Sequence, residues 1–233
     1  MFKFDPISWP LHRKECRHGG FTYYAADNPI GKSLTEYGEW AEAEVTLFAR
    51  LIRPGDTIVE AGSNIGIHTL ALARMVGATG VVYAFEPMAC NNQLLDANII
   101  ANDIINVRSY QMAFGESNAI ISFPAAWDDH QNNFGFLGLQ TIQISPTTPT
   151  IACAMTSIDC LALPRVDVIK IDVEGGERAA LIGAMSSIVK SRTALIVENL
   201  KQFSVLGRPD GNLPWIIEQL KPLGYSFWHY VTP

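Results

Sequence analysis

Thr57-Ile58-Val59-Glu60-Ala61-Gly62-Ser63-Asn64-Ile65-Gly66 is the stretch whose reading decides the fold. Residues suited to a buried strand, Thr57 to Ala61, run into a turn with two glycines, and from Ile65 to Val76 apolar residues recur at helical spacing. Glycine in such a turn lets the backbone approach a ligand closely, and the free N–H groups of the next helix favour a carboxylate or phosphate. Asn64 is of the non-glycine type that best tolerates positive φ. An ordinary strand-to-helix turn would also use the glycines, so the neighbours must decide.

Downstream, Val81 to Phe85 reads as a strand, Pro87 to Ala101 as a helix with proline in its first turn, and Val107 to Ala113 as a third strand. The rhythm then breaks. Ala119 to Phe123, Thr141 to Ile144 and Thr150 to Met155 predict extra strands around a polar loop, Trp127 to Gly138, an insertion at about 116–156. Alternation resumes with a strand at Val166 to Val173, a helix at Glu177 to Val189, a strand at Ala194 to Glu198, a helix at Leu213 to Leu220 and a last strand at Tyr225 to Tyr230. Upstream, Tyr37 to Ile52 predicts an amphipathic helix stopped by Pro54-Gly55-Asp56, and Gly19 to Ser33 a short hairpin or irregular lead-in. Strands alternating with helices build a mostly parallel sheet flanked by helices. The expectation is one Rossmann-like α/β domain over 1–233, with a lead-in at 1–36 and the core at 37–233.

The bulk properties narrow the function classes. The 233 residues, 48% hydrophobic and 17% charged, suit one core. A net charge of -6 argues against a nucleic-acid partner held by phosphate contacts, which needs a basic face. Cys16, Cys90, Cys153 and Cys160 form no CxxC pair, so neither a zinc site nor a disulfide framework is indicated, and a reducing, cytoplasmic setting is the simpler reading. The opening six residues lack the apolar core of a signal peptide, and no segment is long and apolar enough to be read as a membrane span.

Glu86 turns the glycine loop into a candidate site. It ends the second strand 24 positions after Gly62, where an acid can accept both ribose hydroxyls of an adenosine. The alternative is an acid at a helix N-terminus. A dinucleotide loop would carry glycine where Asn64 stands, and Glu60 would face a pyrophosphate unfavourably while attracting an ammonium or sulfonium. S-adenosylmethionine is therefore the preferred cofactor. A nicotinamide-dependent oxidoreductase and a non-catalytic nucleoside-binding domain are the alternatives.

Ile169-Lys170-Ile171-Asp172-Val173-Glu174-Gly175-Gly176-Glu177 places Lys170, Asp172 and Glu174 on one face if the strand stays extended. Charges in a central parallel strand are unfavourable unless paired or set beside a ligand at its carboxyl end. Lys170 reads equally as taking a direct role or as an ion-pair partner of Asp172 or Glu177 that orders the loop. Glu198 ends the next strand at the equivalent place, so several acids converge on a rim that suits a cationic cofactor better than a divalent metal, and no metal site is assigned.

In order and spacing, these segments resemble the FkbM-type methyltransferases, together with Ala84-Phe85-Glu86-Pro87, the run from Val166 to Glu177, and Tyr37-Gly38-Glu39-Trp40 with Glu44. The resemblance covers nearly the whole chain. It implies a class I methyltransferase fold and S-adenosylmethionine-dependent methylation of a hydroxyl on a sugar, glycan or secondary metabolite. It also implies that Glu60, Gly62 and Asn64 hold the methionine half, Glu86 the ribose, and Asp172 the border of the reacting methyl. Ser63, Gly66, Pro87 and Ala113 complete the expected cofactor set. Glu60 stands where the family often has Asp, and Ser63 where it often has Ala. Asp172 or Glu174 is the candidate base; His68, His130 and His229 are weaker ones. Thr156-Ser157-Ile158-Asp159 matches a family element expected to be structural, and Trp127 to Gly135 matches nothing.

Overall fold

The structure, a computed structural model, describes residues 10–124, 150–198 and 213–229. A hairpin of β1 (Leu11–Cys16) and β2 (Gly19–Tyr24) leads to α1 (Ile30–Tyr37) and α2 (Glu42–Leu51). The core follows: β3 (Thr57–Ala61), α3 (Ile67–Val76), β4 (Val81–Phe85), α4 (Ala89–Ala101) and β5 (Val107–Tyr110). After β6 (Met112–Phe114), β7 (Ala119–Pro124) and β8 (Thr150–Thr156), it is completed by β9 (Val168–Ile171), α5 (Glu177–Ile182), α6 (Met185–Ser191), β10 (Ala194–Val197) and α7 (Leu213–Leu220).

Five parallel strands form the central sheet in the order β10-β9-β3-β4-β5. This is the Rossmann-like α/β architecture that the alternating pattern predicts. Both faces are covered, so alternate residues feed two cores. Ile58, Val82, Val107 and Val168 lie in one row across the sheet and pack with Phe48 of α2, Leu70 of α3, Leu95 of α4 and the hairpin's Phe21 and Tyr23. Val59, Phe85 and Ile169 face the other way, onto Leu181, Ile188, Ile216 and Leu220 of α5, α6 and α7.

Several expected elements are recut by tertiary contacts. The helix foreseen from Tyr37 to Ile52 starts only at Glu42, because Gly38 (φ 72°) and Ala41 (φ 50°) turn left-handed ahead of it, and Tyr37 instead ends α1, a helix that begins inside the stretch expected as a hairpin or irregular lead-in. Pro87 precedes α4 rather than sitting in its first turn, since the Glu86 side chain accepts the Met88 N–H and closes a turn there. The strand foreseen from Val107 to Ala113 changes sheets: β5 stays in the central sheet, while β6 pairs with β8 in a three-stranded sheet ordered β6-β8-β7. The helix foreseen from Glu177 to Val189 breaks at Gly183-Ala184. Asp159 accepts the N–H groups of Ser186 and Ser187 and so starts α6 afresh. Tyr225 to His229 form no strand; Tyr225 instead donates its hydroxyl to the Thr193 carbonyl at 2.7 Å. The strand foreseen at Thr141 to Ile144 and the loop from Trp127 to Gly138 lie outside the described residues.

The lead-in hairpin is docked on the core by two asparagines of α4. Asn98, wholly buried, accepts the Thr22 N–H at 2.7 Å and donates to the carbonyls of Thr22 and Ile65, while Asn102 exchanges hydrogen bonds with Gly20. Among the described residues, no helix is long and apolar enough to cross a membrane.

Candidate functional site

The order of the central strands puts β3, first of the five in the chain, between β4 and β9, and the chain winds outward from it in both directions. Ligand crevices of doubly wound sheets open at the carboxyl ends of strands at such a point. The loop from Gly62 to Gly66 lies there. Gly62 (φ 86°) passes so close to β9 that a Cβ on it would sit 1.7 Å from the Asp172 carbonyl oxygen. The Gly62 and Ser63 N–H groups both reach the Phe85 carbonyl at 3.0 Å, and Asp172 N–H reaches the Ala61 carbonyl at 3.0 Å, so the loop is stitched to the ends of both neighbouring strands. Asn64 adopts φ 50°, the left-handed conformation its side chain tolerates. Ser63 is buried and donates its hydroxyl to the Glu60 carbonyl, and Gly66 (φ 93°) leads into α3 with no room for a side chain beside Leu95.

Glu86 closes this loop from β4. One carboxylate oxygen accepts the Asn64 N–H and the other the Met88 N–H, each at 2.9 Å, and the side chain is buried. Burial outweighs those bonds and one from Asn91, pushing the carboxyl up to about 7. Beside it, Ala113 packs in a small cluster with Met88 and Cys153, and the Cys153 thiol points at the Pro87 carbonyl.

A second group of charges gathers on the β9 side. Glu60 and Lys170 are register partners on adjacent strands, two residues beyond the Ile58–Val168 row and on the same face. Glu60 is almost wholly buried; Thr69 of α3 donates to it at 2.6 Å, and the Lys170 ammonium stands 3.9 Å from its other oxygen. Burial raises the Glu60 carboxyl, against the pull of Lys170 and Thr69. Lys170 resolves the two pairings open to it in the sequence: its partner is Asp172, at 3.2 Å, while Glu177 accepts the Gly175 N–H. Burial favours neutral Lys170, yet Asp172 and Glu60 hold its pKa above the ordinary value. Burial likewise pushes Asp172 up, but the Lys170 ammonium and a hydrogen bond from Glu198 hold it below the ordinary range.

Extension does not persist beyond Ile171. Glu174 is left-handed (φ 51°), so it leaves the face shared by Lys170 and Asp172. It nevertheless returns to the same place: oxygens of Asp172, Glu174 and Glu198 lie within 4.8 Å of one another, a spacing at which carboxylates could share a proton or a divalent cation. Burial and the Asp172 charge push Glu174 up to about 8, and the same two causes raise Glu198, which shares a hydrogen bond with Asp172. His68 lies behind this group, edge-on to Phe48 and 3.8 Å from Glu44, and burial lowers it to about 3. His229 is exposed, and His130 lies outside the described residues. Thr69 and Asn91 escaped the sequence reading; their only signal was position, one turn into each helix that follows the loop or Glu86.

Of the roughly four acceptor sites on the Glu86 carboxylate, the two backbone N–H groups and Asn91 take three, leaving about one for a ribose hydroxyl. The acidic cluster across the loop matches a cationic group. The donor set therefore fits the adenosine and sulfonium ends of S-adenosylmethionine.

A family model described as "Methyltransferase FkbM domain" matches residues 60–225. Among solved structures, the methyltransferase FkbM of Methylobacillus flagellatus KT shares 17% identity, with 76% of this chain and 44% of that one covered and a TM-score of 0.49. Precorrin 8w decarboxylase of Methanobacterium thermoautotrophicum shares 16%, with 86% and 78% covered and a TM-score of 0.48. This chain thus spans less than half the length of the first. No curated protein matches it.

Proposed function

The chain belongs to the FkbM-domain methyltransferases, and on that premise we propose that it binds S-adenosylmethionine and methylates a hydroxyl of a sugar, glycan or secondary metabolite. The observation that carries the reading is Glu86, a buried carboxylate held by the N–H groups of Asn64 and Met88 and by Asn91, with acceptor capacity left for a ribose hydroxyl. In this reading Glu86 takes the ribose, the glycine loop lies along the methionine half, Pro87 and Ala113 flank the nucleoside, and Asp172 borders the transfer path. When bound, the cofactor supplies an electrophilic methyl group on a positively charged sulfur.

Methyl transfer is an in-line displacement, so the chain's main tasks are to align the acceptor and exclude water. Asp172 is kept ionised by Lys170 and is about one-third exposed, so it can both attract the cation and accept a hydroxyl proton. Glu174, raised by burial, is mostly protonated at neutral pH and can hydrogen-bond the acceptor oxygen as a donor. The acidic composition favours a small-molecule or glycan acceptor over a nucleic acid, and four cysteines that form no disulfide suit a reducing compartment such as the cytoplasm.

The test is calorimetry of the purified chain with S-adenosylmethionine and S-adenosylhomocysteine, followed by transfer of labelled methyl groups into pools of sugars and metabolites. Binding of both, and label in a base-stable ether, support the proposal. No binding of either ligand defeats it; label in an amine or carboxylate moves the acceptor class.

A further inference from the structure

Lys170 lies on β9, beside the central strand β3, is nearly wholly buried, and sits where an apolar residue would ordinarily complete the row. Its ammonium has three N–H donors. One reaches the Gly62 carbonyl at 3.2 Å and another Asp172 Oδ2 at 3.2 Å, while Glu60 Oε1, which has no hydrogen-bond partner, stands 3.9 Å away. The lysine thus touches both halves of the site: the loop that turns out of β3 and the acid that ends β9. We propose that Lys170 is a positioning residue, whose ammonium fixes the Gly62 carbonyl and the Asp172 carboxylate as one unit so that the acid faces the cofactor's sulfonium. This deepens the methyltransferase reading and rests on it.

The charges around the lysine make the role specific. Glu60 of β3, Glu44 of α2 and Asp172 act on it as anions, and His68 of α3 is neutral behind them. Glu174, Glu177 and Glu198 surround Asp172 from the other side. With so many acids near, an unanchored Asp172 would share its proton or turn away, and the loop carbonyl would lose its donor. A lysine present only as a buried charge would do something different: a like charge near the sulfonium weakens binding of the cation, so its removal would strengthen it.

The experiment compares affinities for S-adenosylmethionine, which is cationic at sulfur, and S-adenosylhomocysteine, which is neutral there, in the wild type, Lys170→Met and Lys170→Arg. The proposal expects Lys170→Met to lower the preference for the cationic ligand by about tenfold, the scale of one charge-assisted hydrogen bond. It expects Lys170→Arg to keep most of that preference, and the Lys170→Met effect to vanish in an Asp172→Asn background. An unchanged or increased preference in Lys170→Met overturns it, because a purely structural lysine weakens both ligands equally. If the single variant does not fold, the ratio is read in Lys170→Met with Glu60→Gln, against Glu60→Gln alone, since that second change removes the carboxylate left unpaired. Failure of the wild type to bind either ligand sinks the methyltransferase reading itself and this proposal with it; normal wild-type binding with an unmoved ratio sinks only the role of Lys170.

Discussion

Replacing Glu86 by Gln should weaken binding of S-adenosylhomocysteine by about 10- to 150-fold. The carboxylate accepts from the Asn64 and Met88 N–H groups, each at 2.9 Å, and from Asn91, and keeps about one acceptor site for a ribose hydroxyl. Gln keeps the shape, but its NH₂ group must face one of those two N–H donors and can no longer accept from one ribose hydroxyl. Losing a charge-assisted hydrogen bond costs about 1.5–3 kcal/mol, and 1.4 kcal/mol is a tenfold change in affinity, hence the range. Because burial raises the free Glu86 carboxyl to about 7, the wild type supplies a second signature. A ribose hydroxyl donates to the ionised acid, so the ionised form binds better, and affinity falls as pH drops through about 7. Between pH 8 and pH 6 this amounts to about tenfold. Titration calorimetry at several pH values measures both effects, with circular dichroism to show that the variant is folded. A folded Glu86→Gln protein that binds within twofold of the wild type, with the same pH dependence, would refute the assignment of the ribose to this residue.

Gly62→Ala should destabilise the chain by about 3 kcal/mol or more, because a Cβ would lie 1.7 Å from the Asp172 carbonyl oxygen and φ is 86°; a thermal melt should move down by roughly 6–12 °C, and an unmoved melt would contradict the close packing of loop and strand. Asp172→Asn should lower methyl transfer to a hydroxyl acceptor by about two to four orders of magnitude, read as labelled product per unit time, while a loss under threefold would remove Asp172 from the role of base. Asn98→Ala should cost about 2–4 kcal/mol, since the Thr22 N–H and the Ile65 carbonyl lose a buried partner. Hydrogen exchange at Thr22 should accelerate in that variant, and unchanged protection there would show that the hairpin docks without it.

Much of the parallel architecture was legible from local pattern. β3 and β4 begin and end where the apolar runs from Thr57 to Ala61 and Val81 to Phe85 predict, because a strand covered on both faces must be apolar at nearly every position. The exceptions marked the candidate site: Glu60, Glu86, Lys170 and Asp172 are charges where burial makes charge unfavourable. Patterns failed wherever a distant residue ended an element. Nothing local says that the strand from Val107 must change sheets after Tyr110, that Asp159 restarts a helix 26 residues later at Met185, or that Glu86 turns its own chain before α4.

By itself, then, the sequence determined the alternation of the parallel core, the loop from Gly62 to Gly66 and the identity of the acids, because burial and backbone preference are written residue by residue. Only the tertiary structure decided how those acids divide their work. Asp172, Glu174 and Glu198 have almost the same chemistry in isolation, yet one keeps its charge and two are pushed toward neutrality. The difference is the ammonium of Lys170, 3.2 Å from Asp172, and electrostatic energy depends on distances that exist only once the strands are paired.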